Sequence, residues 1–193
     1  MKKLGILVSG RGSNMTAILD ACEKGYLHAR VEVVISSNSK AKAFAKAEER
    51  KINRICFDER IHNLDATICE YLSLHEIDLV LLAGFMKKIG PKMLSVFEGS
   101  ILNIHPSLLP KYGGQGLYGI NVHKAVIEAG EKKSGATVHL VNEHYDKGKI
   151  LAQKSVIVDE DDTPETLAKK VLKIEHVLYV ETVKKIIEGK ITL

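Results

Sequence analysis

The chain alternates short, continuously apolar runs with longer segments in which apolar residues recur every three or four positions. Leu4–Ser9, Val31–Ser36 and Asp78–Ala83 are runs of the first kind, and they read as buried strands. A shorter strand is expected near Asn53–Phe57. Between these runs the spacing predicts helices over Met15–Lys24, with Ser13 or Asn14 as its cap, and over Ala41–Lys51 and Leu64–His75. Pro91 opens a further helix, because proline's missing N–H is no loss at the first helical position. Strands that are apolar throughout, separated by helices, point to a parallel sheet covered on both faces. The expected class is therefore α/β and doubly wound.

The second half follows a different pattern. Ser100–His105 reads as a strand, Tyr112–Gly119 as a glycine-rich loop and Asn121–Ala129 as a helix. Ala136–Val141 and Ile150–Val158 are strands with no helix between them, so an antiparallel edge is expected on the mostly parallel sheet. Thr163-Pro164 starts a long C-terminal helix whose apolar stripe is Leu167, Val171, Ile174 and Leu178. No repeat, low-complexity stretch or linker interrupts the sequence, and a single domain over residues 1–193 is expected.

Composition narrows the function classes. A formal net charge of +4 suits an anionic small molecule and falls short of a concentrated nucleic-acid-binding face. The N-terminal apolar run is about six residues, below the ~7–15 of a signal peptide core, and nothing approaches a membrane span. Cys22, Cys56 and Cys69 lack CxxC spacing and read as reduced, mostly buried thiols of a cytoplasmic protein. His123, His139, His144 and His176 show no metal-ligand spacing, so no metal is expected. Glu131-Lys132-Lys133 and Lys184-Lys185 read as solvated faces.

Two segments carry candidate chemistry. Ser9-Gly10-Arg11-Gly12-Ser13-Asn14 joins the first strand to the first helix, where glycines allow close approach and free N–H groups favour an anion. Met15 stands where a dinucleotide fingerprint needs a small residue, so a single phosphate monoester fits better. A tight turn without ligand also fits this loop taken alone. In Asn103-Ile104-His105-Pro106, the amide and the imidazole project from one strand face, and Pro106 closes the strand. Asp146, in the turn after Val141, can return to the same place. Amide, imidazole and carboxylate suit acyl transfer to an amine, although an NxH strand end and an aspartate turn are often structural.

Over nearly its whole length the chain resembles the phosphoribosylglycinamide formyltransferases, folate-dependent enzymes of purine synthesis with a Rossmann-like fold. The resemblance rests on SGRGSN at 9–14, LLAGFM at 81–86, ILNIHPSLLPKY at 101–112, GATVHLV at 135–141, the turn at Asp146 and IEH at 174–176. It implies that Asn103, His105 and Asp146 are catalytic, with Asn103 and a protonated His105 stabilising an oxyanion. It implies that Gly12, Ser13 and Asn14 hold a ribose phosphate and that Glu175 meets the glycyl amine of glycinamide ribonucleotide. Met86, Lys87, Ile89 and the backbone of Asn142, Glu143 and His144 are implied to line the pocket for 10-formyltetrahydrofolate, the cosubstrate. No nucleic acid, membrane or metal partner is implied, and the protein is expected to be a monomer or homodimer.

The chain departs from that pattern in four places. Lys87 replaces a common arginine, keeping the charge but losing bidentate geometry. Gly113–Gly119 is longer and richer in glycine than the family's usual turn, and it is expected to act as a mobile lid over the site. Leu172 stands where a substrate-binding glutamine is common. Asp58–Asn63 is short, leaving Arg60 as the candidate for an arginine that contacts folate in some relatives. Related readings are a formyl-folate hydrolase, a methionyl-tRNA or sugar-nucleotide formyltransferase, and, outside enzymes, a folate- or nucleotide-binding module. The first two carry an added N- or C-terminal domain, and the module has no need of the Asn103, His105 and Asp146 set.

Overall fold

The computed structural model describes residues 1–58 and 60–193. Seven strands form one sheet: β1 (Lys2–Leu7), β2 (Ala29–Ser36), β3 (Asn53–Cys56), β4 (Leu79–Leu82), β5 (Ile101–His105), β6 (Lys133–Leu140) and β7 (Ile150–Ile157). Six helices accompany them: α1 (Ser13–Glu23), α2 (Ala43–Glu49), α3 (Leu64–Leu74), α4 (Pro91–Val96), α5 (Ile120–Glu128) and α6 (Pro164–Ile187). The strand order is β3-β2-β1-β4-β5-β6-β7, parallel from β3 through β5 and antiparallel at β5–β6 and β6–β7. The chain reverses its direction of winding between β1 and β4. In such sheets the crevice beyond the carboxyl ends of the strands is where ligands bind.

Side chains leave the two faces of β1 alternately and feed two cores. Leu4, Ile6 and Val8 join Met15, Ile18, Val126, Leu167 and Tyr179 on the face covered by α1, α2, α5 and α6. Leu7 joins Ile35, Ile68, Leu72, Val80 and Met93 on the face covered by α3 and α4. No helix among the described residues is long and apolar enough to cross a membrane.

The start of α6 follows its sequence closely. Pro164 occupies the first turn, and Thr163 and Thr166 exchange hydrogen bonds of 3.2 and 2.9 Å in a capping box. Its buried line runs through Leu167, Val171, Glu175, Leu178, Tyr179, Thr182 and Val183. Ile174 is only half-buried, and Glu175 takes its expected place in the line, because steps of four from Leu167 lead to position 175. The Tyr179 hydroxyl lies 3.1 Å from the carbonyl oxygens of both Leu82 and Leu102, pinning α6 to the ends of β4 and β5.

Two expectations need correction. Neither Ser13 nor Asn14 caps α1, since both lie inside its first turn and Gly12 holds the cap position with φ 68°. Only glycine fits there, because a Cβ would lie in the left-handed region and 2.7 Å from the Ala43 Cβ. All three cysteines are free, but only Cys69 is buried, while Cys56 is exposed on β3 and Cys22 is intermediate.

Candidate active site

A cavity of about 560 Å³ opens beyond the carboxyl ends of β1, β4 and β5. The loop after β1 brings Gly12, Ser13 and Asn14 to it, the loop after β4 brings Met86, Lys87 and Ile89, and β5 brings Asn103 and His105. Asn142, His144 and Asp146 arrive from the loop between β6 and β7, and Glu175 arrives from α6. Glu143 is exposed, does not border the cavity, and lies 3.4 Å from His144 through its Oε1. Arg60 does not border it either, and hydrogen-bonds the Asp58 carboxylate at 2.6 and 2.9 Å. The backbone N–H of Met86 donates to Ser9 Oγ at 2.9 Å and that of Ser9 to the Gly84 carbonyl at 3.0 Å, which locks the two loops together.

Asp146 is the hub of one end. Its Oδ2 accepts from the Gly114 N–H at 2.9 Å and lies 3.5 Å from His105 Nδ1. Its Oδ1 lies 3.5 Å from both Asn103 Nδ2 and His139 Nε2. Burial pushes the Asp146 carboxyl up, but the His139 contact, the His105 charge and the Gly114 N–H outweigh it, and the net shift is downward. Asp146 therefore stays ionised at neutral pH.

His105 is 4% exposed, and its Nε2 lies 2.8 Å from the Tyr112 carbonyl. A carbonyl can only accept, so Nε2 carries the proton and Nδ1 presents its lone pair towards Asp146. Burial is the main reason that the His105 pKa is lowered, opposed by Asp146 and the Tyr112 carbonyl. The resting imidazole is thus neutral at neutral pH. Tyr112 holds its carbonyl there from a left-handed backbone with φ 57°, and Asp146 has φ 54°. Strain in two of the residues that frame the imidazole is the kind concentrated at functional sites.

His139, one of the four histidines without metal-ligand spacing, is made a member of the cluster by the antiparallel register. It pairs with Asn103 across β5 and β6. Its Nδ1 lies 2.8 Å from the Leu140 carbonyl, which leaves Nε2 to accept from Asn103 Nδ2 at 3.1 Å. The Asn103 amide group therefore spends one N–H on His139 and aims the other, along a weak 3.5 Å contact, at Asp146. The loop after β5 is held by Thr137, whose hydroxyl donates to the Ser107 carbonyl at 2.6 Å and accepts from Leu109 N–H and Gln153 Nε2.

The other end is built differently. Glu175 is 8% exposed and its Oε2 accepts from Asn14 Nδ2 at 2.6 Å, while Asn14 Oδ1 is buried with no partner. Burial raises the Glu175 pKa, and the single Asn14 hydrogen bond only partly opposes it. An acceptor without a donor beside a poorly compensated carboxyl is a place for a ligand that brings N–H or O–H groups. Sequence spacing could not reveal this pair, because its members are 161 residues apart. His123 was also missed as a lining residue. It sits on the buried side of α5 with Val122 and Val126, and burial, then His105, pushes its pKa down to about 4.

Comparison with known proteins agrees with this geometry. The sequence matches the formyl transferase family over residues 2–183. It is 46% identical over 194 residues to the chloroplastic phosphoribosylglycinamide formyltransferase of Vigna unguiculata, covering 98% of this chain but 62% of that longer protein. It is 38% identical to the phosphoribosylglycinamide formyltransferase of Haemophilus influenzae, covering 100% of this chain and 91% of the relative. The crystal structure of glycinamide ribonucleotide transformylase 1 from Symbiobacterium toebii superposes with a TM-score of 0.94 at 37% identity, covering 100% and 91% of the two chains. This chain belongs to the formyl transferase family.

Proposed function

We propose that this protein transfers the formyl group of 10-formyltetrahydrofolate to the glycyl amine of glycinamide ribonucleotide. The observation that carries the reading is the convergence of Asn103, His105 and Asp146 within 3.5 Å of one another or of shared partners, in a cavity that also contains the glycine loop. The names of the relatives support the formyl group and the amine substrate. The cavity suits folate in its chemistry: Leu82, Ile89 and Val141 offer an apolar wall, and Lys87 and Lys88 offer charge for a carboxylate. The cosubstrate supplies an activated formyl carbon, so no nucleophilic serine or cysteine is needed.

This chain's residues then divide the work. The start of α1 holds the phosphate through free N–H groups and the helix dipole. Glu175 and Asn14 orient the glycyl amine, which attacks as the neutral base. Asn103 turns its weakly held N–H from Asp146 towards the formyl oxygen and stabilises the negative charge that develops there. His105 takes at Nδ1 the proton that the attacking amine loses and returns it to the folate nitrogen as the formyl carbon–nitrogen bond breaks and tetrahydrofolate leaves. The ionised Asp146 beside it stabilises the imidazolium meanwhile. The glycine-rich segment Gly113–Gly119 excludes water when it closes, and Gly114 is already bonded to Asp146.

The test is an assay of tetrahydrofolate release from 10-formyltetrahydrofolate, with and without glycinamide ribonucleotide. Release that requires the ribonucleotide is expected. Release without it would identify a hydrolase, and no release in either case would leave a binding module.

A further inference from the structure

Among the described residues, three side chains lining the cavity carry a permanent positive charge: Arg11, Lys87 and Lys88. They are not spread evenly. Lys87 and Lys88 belong to the loop after β4, and Lys88 Nζ lies 5.7 Å from the centre of the Tyr145 ring, next to Asp146. Arg11 stands apart from them, in the glycine loop between Gly10 and the α1 cap at Gly12. The wall contributed by α6 brings Ala168, Leu172 and Glu175, two apolar residues and a carboxyl, and no cation. Lys42, at the cap of α2, and Lys46 within it, close in sequence to the Ala43 that packs on Gly12, do not line the cavity.

A phosphate monoester placed at the start of α1 therefore meets N–H groups and a partial positive charge, and one full charge within reach. Arg11 is exposed and makes no hydrogen bond or ion pair among the described residues, so its guanidinium is available. The unpartnered Asn14 Oδ1, in a side chain only 8% exposed, independently marks this end as shaped for a ligand with donor groups beside the anion.

Building on the proposed function, we infer that Arg11 is the specificity-determining residue for the phosphate of the amine substrate, in a cavity to which α6 contributes no cation. A guanidinium offers a planar fork to two phosphate oxygens, which a backbone loop alone does not supply. It acts on binding and leaves the formyl transfer step to the distant Asp146 cluster. One charge-assisted pair at a partly exposed site corresponds to about tenfold in affinity.

The experiment compares wild type, Arg11→Ala and Arg11→Lys on glycinamide ribonucleotide and on its dephosphorylated riboside. Arg11→Ala is expected to raise KM for the ribonucleotide about tenfold, with kcat and the KM for 10-formyltetrahydrofolate within about twofold. On the riboside the variant and the wild type should be equal, and Arg11→Lys should recover part of the loss. An unchanged ribonucleotide KM, or an equal loss on the riboside, overturns the inference. Calorimetry with ribose 5-phosphate gives a readout independent of catalysis: binding weakened about tenfold by Arg11→Ala is expected, and equal binding contradicts it. If wild type shows no ribonucleotide-dependent transfer, the functional reading fails, while the calorimetry still decides the role of Arg11.

Discussion

The cavity holds one buried and one half-buried carboxyl group whose surroundings push them in opposite directions. Asp146 has a backbone N–H, an amide and two imidazoles around it, and its pKa is lowered. Glu175 has one amide donor, is otherwise surrounded by α6's apolar line, and its pKa is raised. The difference lies in the elements that carry them. The loop that carries Asp146 reaches over β5, β6 and the loop after β5, which surround it with polar groups, whereas a helix face must bury whatever its periodicity brings round. Two acids held apart in this way are suited to different tasks, one staying charged to stabilise a cation and the other adapting to an arriving amine.

The sharpest way to break the contrast is Asp146→Asn. The amide is close in shape and its oxygen can still accept from Gly114, but it cannot stabilise an imidazolium. Turnover should fall at least about a hundredfold, with KM values changed little. His105→Ala should match it, and single-turnover rates check both. Near-normal rates in folded Asp146→Asn and His105→Ala proteins would remove these residues from the mechanism.

At the other end the expected effect is smaller and appears in a different constant. Glu175→Gln should raise KM for the ribonucleotide about tenfold while kcat stays within a few-fold, because the amide keeps a hydrogen bond to the amine it orients and takes no proton from it. Asn14→Ala removes the only donor to Glu175 among the described residues and should raise the pKa of that carboxyl further. The pH dependence of kcat/KM for the ribonucleotide should then shift upward, which a purely steric role would not produce.

Stability should separate the two acids by sign. The folded pKa of Glu175 is raised, so its contribution is fully present below the unfolded value near 4.5 and is lost as pH rises through the folded one. Glu175→Gln should therefore raise Tm at pH 7 to 8 by a few degrees, about 1 kcal/mol, and leave it unchanged near pH 4. The folded pKa of Asp146 is lowered, so its contribution is present above about 3.8 and is lost as pH falls through the folded value. Asp146→Asn should lower Tm at pH 7 by a similar amount, and the difference should close in acid. Thermal melts of both variants across that range check the prediction.

The sequence revealed the regular parts of this arrangement and missed the contacts between them. Continuous apolar strands with intervening helices were enough to read the parallel half, and the missing helix between β6 and β7 was enough to read the antiparallel edge. Asn103 and His105 share a strand face by the period of two, so their meeting was legible. The placing of His139 opposite Asn103 depended on the β5–β6 register, which no local pattern encodes. The Asn14–Glu175 bond depended on how α6 lies across α1, and the failure of Ser13 or Asn14 to cap α1 on the backbone freedom of Gly12. Residues within one element were predictable from pattern alone, and of those brought together by packing only the groups implied by the family resemblance were expected.

The most direct test of the central contrast is a titration of the free protein carrying ¹³C-labelled aspartate and glutamate side-chain carboxyls, with Asp146→Asn and Glu175→Gln used to assign the two signals. The account predicts that Asp146 titrates below 3.8 and Glu175 above 4.5. Two carboxyls shifted in the same direction, or a Glu175 that ionises as readily as Asp146, would contradict it.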